Sequence, residues 1–280
     1  MQIIVAKKAG FCFGVKRAVD IAFNLADKMK EGIYTFGPII HNPQVVNKLM
    51  AQGIIPTEDI HSPGIKTLII RTHGISPGIY AEISKMGYNL VDATCPFVKK
   101  AQKYAQSLNK DGYQVLIVGD RDHPEVQALI GFAGADVIVA ESSQPVMQVK
   151  SKVGIIVQTT QPFEALEKVV RHVIGFTKEL KVYNTICNST ALRLEETKEL
   201  AKAVDIMIIV GGKNSANTTQ LANISRTICA KVYHIETADE IEEKWFGRDD
   251  KIGVTGGAST PNWIIDDVVE KIKGISERRQ

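Results

Sequence analysis

The sequence has no Cys-x-x-Cys pair, no low-complexity stretch, no apolar run of membrane-spanning length and almost no excess of charge. Each absence excludes something. Runs such as Ile206–Val210 fall far short of the roughly 20 apolar residues needed to cross a bilayer. Lys and Arg number 34 and Asp and Glu 31, a net charge of +3. That balance gives no electrostatic footprint for nucleic acid. Zinc sites usually draw on closely spaced ligand pairs, and none is present. The hydrophobic fraction of 44% and charged fraction of 23% exclude a disordered or fibrous chain. At 280 residues the length fits about two domains or one large α/β unit.

The chain opens Met-Gln-Ile-Ile-Val-Ala-Lys-Lys, with apolar residues before the basic pair. That order predicts a first strand rather than a secretory leader, and so a reducing, cytoplasmic setting. The four cysteines, Cys12, Cys95, Cys187 and Cys229, are then expected as thiols rather than disulfides.

Short apolar runs recur throughout: Ile3–Val5, Tyr34–Phe36, Thr67–Ile70, Asn89–Val91, Val115–Val118, Val137–Val139, Gly154–Val157, Lys181–Tyr183, Ile206–Val210, Val232–Ile235 and Ile252–Val254. Their largely unbroken apolar character predicts strands buried on both faces, hence parallel sheets. Helical patterns lie between them. Val15, Ala18, Val19, Ala22, Leu25, Ala26 and Met29 mark one apolar face, with Lys16, Arg17, Asp20 and Asn24 opposite. The fold class is α/β.

The plan repeats three times. Cys12, Cys95 and Cys187 stand at junctions where helices begin, 83 and 92 residues apart. Polar loop residues His41, His123 and Asn217 follow at offsets of 29, 28 and 30. A second set, His73, Thr159 and Ser259, comes later in each copy. Six of the ten prolines, Pro43, Pro77, Pro96, Pro124, Pro162 and Pro261, sit just after these loops. Proline is favoured at the first helical position, so each loop is expected to open into a helix. Ligands bind where strand C-termini meet helix N-termini, and those termini attract anions.

Three cysteines from three repeats point to a metal centre. An iron–sulfur cube normally takes four thiolates; with three, one iron stays open, as in catalytic rather than structural sites. Cys229, in Arg-Thr-Ile-Cys-Ala-Lys, has no polar loop around it and reads as a small buried hydrophobe. On the residues alone, two other readings stand beside an enzyme: an iron–sulfur sensor or scaffold binding a phosphorylated ligand without turnover, and a metal-free thiol protein.

A set of motifs then carries a family resemblance. They are Gly10-Phe-Cys-Phe-Gly-Val15, Gly37-Pro-Ile-Ile-His-Asn-Pro43, Arg71-Thr-His-Gly74, Asp92-Ala-Thr-Cys-Pro96, Gly119-Asp-Arg-Asp-His-Pro-Glu125, Gln158-Thr-Thr160, Lys213-Asn-Ser-Ala-Asn217 and Gly253-Val-Thr-Gly-Gly-Ala-Ser259. In these stretches the chain resembles the 4-hydroxy-3-methylbut-2-enyl diphosphate reductases, the IspH/LytB family. The resemblance implies a trefoil of three pseudo-symmetric α/β lobes with parallel sheets around a [4Fe–4S] cluster. The lobes are expected at 13–94, 95–186 and 187–280, with segment 1–12 packing centrally.

By the same resemblance Cys12, Cys95 and Cys187 hold the cluster. His41, His73 and His123 surround the substrate and, together with Ser215, Asn217 and Ser259, line its diphosphate end. Glu125 delivers protons, and Thr159 beside it contacts the substrate hydroxyl. Ala216 departs from the pattern, since some members carry a second serine there. The implied substrate is an allylic diphosphate, reductively dehydroxylated to isopentenyl and dimethylallyl diphosphate. Electrons are expected from a ferredoxin- or flavodoxin-type donor, and Lys16, Arg17, Lys99 and Lys100 form a candidate docking face. Neither nucleic acid nor membrane is expected as a partner. Read on its own, Glu125 could simply complement a helix dipole at the surface, and Asn217 could simply cap a helix.

Overall fold

The computed structural model describes residues 1–29, 31–141 and 148–278. It contains three four-stranded sheets, all parallel. The first uses β2 (Ile33–Phe36), β3 (Ile54–Thr57), β4 (Thr67–Ile70) and β5 (Asn89–Asp92) in the order β3-β2-β4-β5. The second uses β6 (Gln114–Val118), β7 (Ile138–Ala140), β8 (Lys152–Val157) and β9 (Glu179–Val182) in the order β7-β6-β8-β9. The third uses β1 (Gln2–Val5), β10 (Ile206–Val210), β11 (Lys231–Ile235) and β12 (Lys251–Gly256) in the order β1-β12-β10-β11.

Read from the opposite edge, the third order is that of the first two. In every sheet the last strand of the plan leads to a cysteine: β5 to Cys95, β9 to Cys187, β1 to Cys12. Within segment 1–12, β1 supplies the edge strand of the third sheet, in register with β12 from Gln2↔Lys251 to Val5↔Val254. The chain divides into two compact units. One holds Met1–Val15, Ile40–Val45 and Asn188–Gln280, and the other Lys16–Ile39 and Val46–Cys187.

The unbroken apolar runs are buried on both faces. Val115, Ile117 and Ile156 face Ala101, Ala105 and Leu108 of α4 (Pro96–Lys110) and Leu129 of α5 (Pro124–Ala133). Their neighbours Leu116, Val118, Ile155 and Val157 face Leu166 and Val173 of α6 (Phe163–Val173). In the third sheet Ile208, Val210 and Val254 pack on Ile264, Val268 and Ile272 of α9 (Asn262–Arg278). Met207 and Ile209 meet Leu194 and Leu200 of α7 (Asn188–Ala203) and Leu221 of α8 (Ala216–Arg226).

One strand, β3, was not legible in the sequence. It is four residues long and contains Pro56, which removes a ladder donor. It tolerates proline because it is an edge.

Candidate active site

Each of the three candidate metal cysteines immediately precedes a helix. Cys12 leads into α1 (Phe13–Lys28), Cys95 into α4 and Cys187 into α7. All three are partly exposed, whereas Cys229 is buried. A thiolate at a helix N-terminus is stabilised by the helix dipole and free N–H groups. The Cys229 sulfur instead lies 3.4 Å from the carbonyls of Asp205 and Lys231, inside the core.

The backbone around the three is alike. Each cysteine N–H donates to a carbonyl in the loop after the neighbouring strand. Cys12 donates to Ala258 O at 3.1 Å, Cys95 to Thr72 O at 3.0 Å and Cys187 to Thr159 O at 2.9 Å. The acceptors are the residue before Ser259, the residue before His73, and Thr159 itself. Repeating topology therefore brings each cysteine beside a polar loop residue of the kind singled out in the sequence.

In the larger unit, α5 starts at Pro124 and places Glu125 in its first turn. Glu125 is buried, only 2% exposed, so it is not a surface carboxylate answering the helix dipole. Its Oε1 accepts the Thr159 N–H at 2.7 Å and its Oε2 the Thr159 hydroxyl at 2.7 Å. Burial pushes its pKa up to about 7, and the two Thr159 hydrogen bonds oppose that rise without cancelling it. A carboxyl titrating near neutrality suits general acid chemistry.

His123 caps α5. Its Nδ1 accepts the Glu125 N–H at 3.2 Å. That nitrogen therefore carries no proton, and Nε2 is the donor of the neutral ring. The His73 ring meets it edge-on, with centroids 5.3 Å apart. Behind them Asp120, Gln158, Thr160 and Gln161 form a side-chain network, with Gln161 Nε2 3.2 Å from both Asp120 Oδ2 and Gln158 Oε1. Arg17 reaches the carbonyls of Asp92 and Thr94 at 3.4 Å each, and Lys99 pairs with Asp92 at 2.6 Å. Arg17 and Lys99 are thus engaged locally; Lys16 and Lys100 are exposed, with Lys100 Nζ 5.7 Å from the Tyr104 ring centroid.

In the smaller unit, Ser215, Asn217 and Ser259 are all buried. Ser215 is the N-cap of α8, accepting from the Thr218 N–H at 3.4 Å and the Thr218 hydroxyl at 3.0 Å. The Ser215 proton is left to donate elsewhere. The Ser259 hydroxyl donates to His41 O at 3.1 Å, and its Oγ lies 3.3 Å from Ser215 Oγ. Asn217 is not the cap, because Ser215 does that work. Its Oδ1 accepts the Ala258 N–H at 2.9 Å, which fixes the amide orientation. Its Nδ2 is then buried with no hydrogen-bond partner among the described residues. An orphaned buried donor is costly and calls for an acceptor. Ala216 opens α8, so its backbone N–H lies among the free donors of that helix end.

Two residues carry site features that the sequence reading passed over. Asn42 accepts the Val45 N–H at 3.0 Å and so caps α2 (Pro43–Met50); its Nδ2 is buried without a partner among the described residues. An Asn directly before a helix-opening proline is a cap signal, so this was readable. Arg193, in Leu-Arg-Leu-Glu-Glu-Thr-Lys, looks like one more solvent-facing cation, yet it is 2% exposed.

Among the described residues no helix is long and apolar enough to cross a membrane. A family model described as "LytB protein" matches residues 3–273. The 4-hydroxy-3-methylbut-2-enyl diphosphate reductase of Geobacter sp. (strain M21) is 49% identical over 280 residues, covering 99% of both chains. That of Pelobacter propionicus is 49% identical, covering 99% of this chain and 100% of the relative. A solved structure of (E)-4-hydroxy-3-methyl-but-2-enyl diphosphate reductase, described as the terminal enzyme of the non-mevalonate pathway, is 44% identical with a TM-score of 0.73. It covers 98% of this chain and 99% of its own. The structure of the E-1-hydroxy-2-methyl-but-2-enyl-4-diphosphate reductase from Plasmodium falciparum, at 26% identity, gives a TM-score of 0.88 and covers 96% of this chain and 87% of its own. Matched from residue 3 to residue 273, with relatives alike along their whole length, the chain belongs to the LytB family.

Proposed function

We propose that this chain catalyses the reductive dehydroxylation of (E)-4-hydroxy-3-methylbut-2-enyl diphosphate to isopentenyl and dimethylallyl diphosphate. The observation that carries the reading is the buried Glu125–Thr159 pair, a near-neutral acid joined to a hydroxyl, in a chain similar to the reductases along its whole length.

The donor set fits an iron–sulfur cluster with three protein ligands. Cys12, Cys95 and Cys187 are partly exposed at helix starts, while the fourth thiol is enclosed in the core. When bound, a [4Fe–4S] cluster held by these three supplies electrons and an iron without a protein ligand, able to act as a Lewis acid. The overall change takes two electrons and two protons. The allylic C–O bond breaks, the oxygen leaves as water and a carbon takes a proton.

Glu125 is the proton source. In its protonated form, Oε2–H donates to Thr159 Oγ1, and Thr159 donates onward to the substrate oxygen. Burial raises the carboxyl's pKa to about 7, so a substantial share stays protonated at neutral pH, and the Thr159 N–H on Oε1 holds the other oxygen in place. His123 and His73 stand beside this pair as further donors. The substrate's diphosphate is received by Asn217 Nδ2, the Ser215 and Ser259 hydroxyls and the open end of α8, together with His41, His73 and His123. Hydrogen bonds to a charged group contribute about 1.5–3 kcal/mol each, so neutral donors and a helix end can replace lysine and arginine. The electrons come from a ferredoxin- or flavodoxin-type carrier in a cytoplasmic setting.

The test is product identification. The chain, reconstituted without oxygen and given the allylic diphosphate and a one-electron chemical reductant, yields both five-carbon diphosphates. Recovery of unchanged substrate from a fully loaded chain contradicts the reading.

A further inference from the structure

The loop carrying Cys12 is pinned at Ala6 and Ala9, which pack on the core, and turns at Gly10. Gly10 has φ +104°, and a Cβ there would collide with Asn262 Oδ1. The facing turn, 256–259, opens on two glycines, and a Cβ at Gly257 would collide with Thr218 Oγ1. Both turns are backbone packed closely on backbone and side-chain tips, joined directly by the bond from Cys12 N–H to Ala258 O at 3.1 Å.

Helix α7 reaches under both. The buried guanidinium of Arg193 donates through Nη1 to Gly256 O at 2.7 Å and through Nη2 to Gly10 O at 2.9 Å. One turn on, Glu196 accepts the N–H groups of Lys7 and Lys8 at 2.8 and 2.7 Å, one on each carboxylate oxygen. Arg193 thus bridges a point two residues before Cys12 to a point two residues before Ala258. Asn217 completes the chain, because its Oδ1 takes the Ala258 N–H.

We infer that Arg193 is a positioning residue that locks the Cys12 turn and the Gly256–Ser259 turn into one rigid body. The cluster thiolate and the diphosphate ligands Ser259 and Asn217 are thereby presented together. The inference rests on the proposed reading of Cys12 as a cluster ligand and of Ser259 and Asn217 as diphosphate ligands. A planar fork can satisfy two carbonyls at once, whereas an ammonium on one stem is a point donor. Lysine is therefore a partial substitute, and methionine, of similar length and without donors, removes both bonds.

The experiment compares the parent with Arg193→Met and Arg193→Lys as full chains. Three quantities are read: alkylation rate of each cysteine in the metal-free chain by mass spectrometry, iron bound after anaerobic reconstitution, and inhibition of turnover by inorganic diphosphate. Arg193→Met is expected to speed alkylation of Cys12 about tenfold, from loss of two backbone hydrogen bonds, while Cys95 and Cys187 keep the parent rate. Its iron content falls and inhibition by diphosphate weakens, with Arg193→Lys intermediate in all three. Unchanged Cys12 alkylation and diphosphate inhibition in both variants overturn the inference. So does equal acceleration at all three cysteines, which marks general loosening. If the Met variant does not fold, the Lys variant decides by the same criteria. If instead the parent takes up no iron and ignores diphosphate, the functional reading fails. The alkylation pattern still reports on Arg193 by itself.

Discussion

Thr159 gives both of its hydrogen-bond donors to one group, its N–H to Glu125 Oε1 and its hydroxyl to Glu125 Oε2, each at 2.7 Å. Two forces act on that carboxyl. Burial raises its pKa and Thr159 lowers it, and burial wins, leaving it at about 7. An acid that works protonated is fully competent below its folded pKa and is lost as pH rises through it. Turnover is therefore expected to hold at mildly acidic pH and to fall above about pH 7, on a limb that follows one ionisation. In Glu125→Gln turnover drops by roughly 10²–10⁴, and the residual rate loses that limb. A limb persisting unchanged in the Gln variant assigns it to another group.

Thr159 can be separated from its backbone. Thr159→Ser keeps the hydroxyl and is expected to retain turnover within a few-fold. Thr159→Val keeps the N–H bond but removes a bond that favours the ionised carboxylate, so the pH limb moves upward while turnover falls. Equal pH profiles in parent and Val variant show that the hydroxyl does not touch the titrating group.

Much of this is legible in the amino-acid order. Four prolines, Pro43, Pro77, Pro96 and Pro124, open helices, while Pro162 and Pro261 stand one residue before them. That follows from a local rule about a missing N–H. Runs such as Thr67–Ile70 are buried along their whole length, as an unbroken apolar strand demands. What escaped depends on distant partners. Arg193 donates to carbonyls 63 and 183 residues away, and nothing in its own neighbourhood marks it as buried. Asn217 reads as a cap by type and place, yet Ser215 caps the helix and Asn217 binds Ala258, 41 residues on. Edge strand β3 hid behind Pro56, which only its position in the sheet makes acceptable.

Asn217 makes two kinds of bond that a substitution can tell apart. Asn217→Asp keeps an acceptor for the Ala258 N–H but replaces the orphaned donor with negative charge. It is expected to melt near the parent temperature and lose kcat/KM by at least roughly 10- to 150-fold, the value of one hydrogen bond to a charged group. Asn217→Ala loses the same recognition and also strands the Ala258 N–H, so it melts earlier. If the Asp variant keeps kcat/KM and its inhibition by inorganic diphosphate, Asn217 serves the fold alone.

The cysteines divide three to one. Cys12→Ser, Cys95→Ser and Cys187→Ser are each expected to lose most of the iron, sulfide and visible absorption of the reconstituted chain. Cys229→Ser keeps them, since that sulfur is enclosed near the carbonyls of Val204, Asp205 and Lys231. A normal cluster in Cys187→Ser, or its loss in a folded Cys229→Ser, contradicts the ligand assignment.

The most direct measurement is the electron stoichiometry of turnover. The anaerobically reconstituted chain is supplied with reduced methyl viologen and the allylic diphosphate, and viologen oxidation is followed against the five-carbon diphosphates formed. Two viologens are expected to be oxidised for each product over many turnovers, with isopentenyl and dimethylallyl diphosphate together accounting for the substrate consumed. Tight binding of the allylic diphosphate by a fully loaded chain, with no substrate-dependent oxidation of viologen, would show a sensor rather than a reductase.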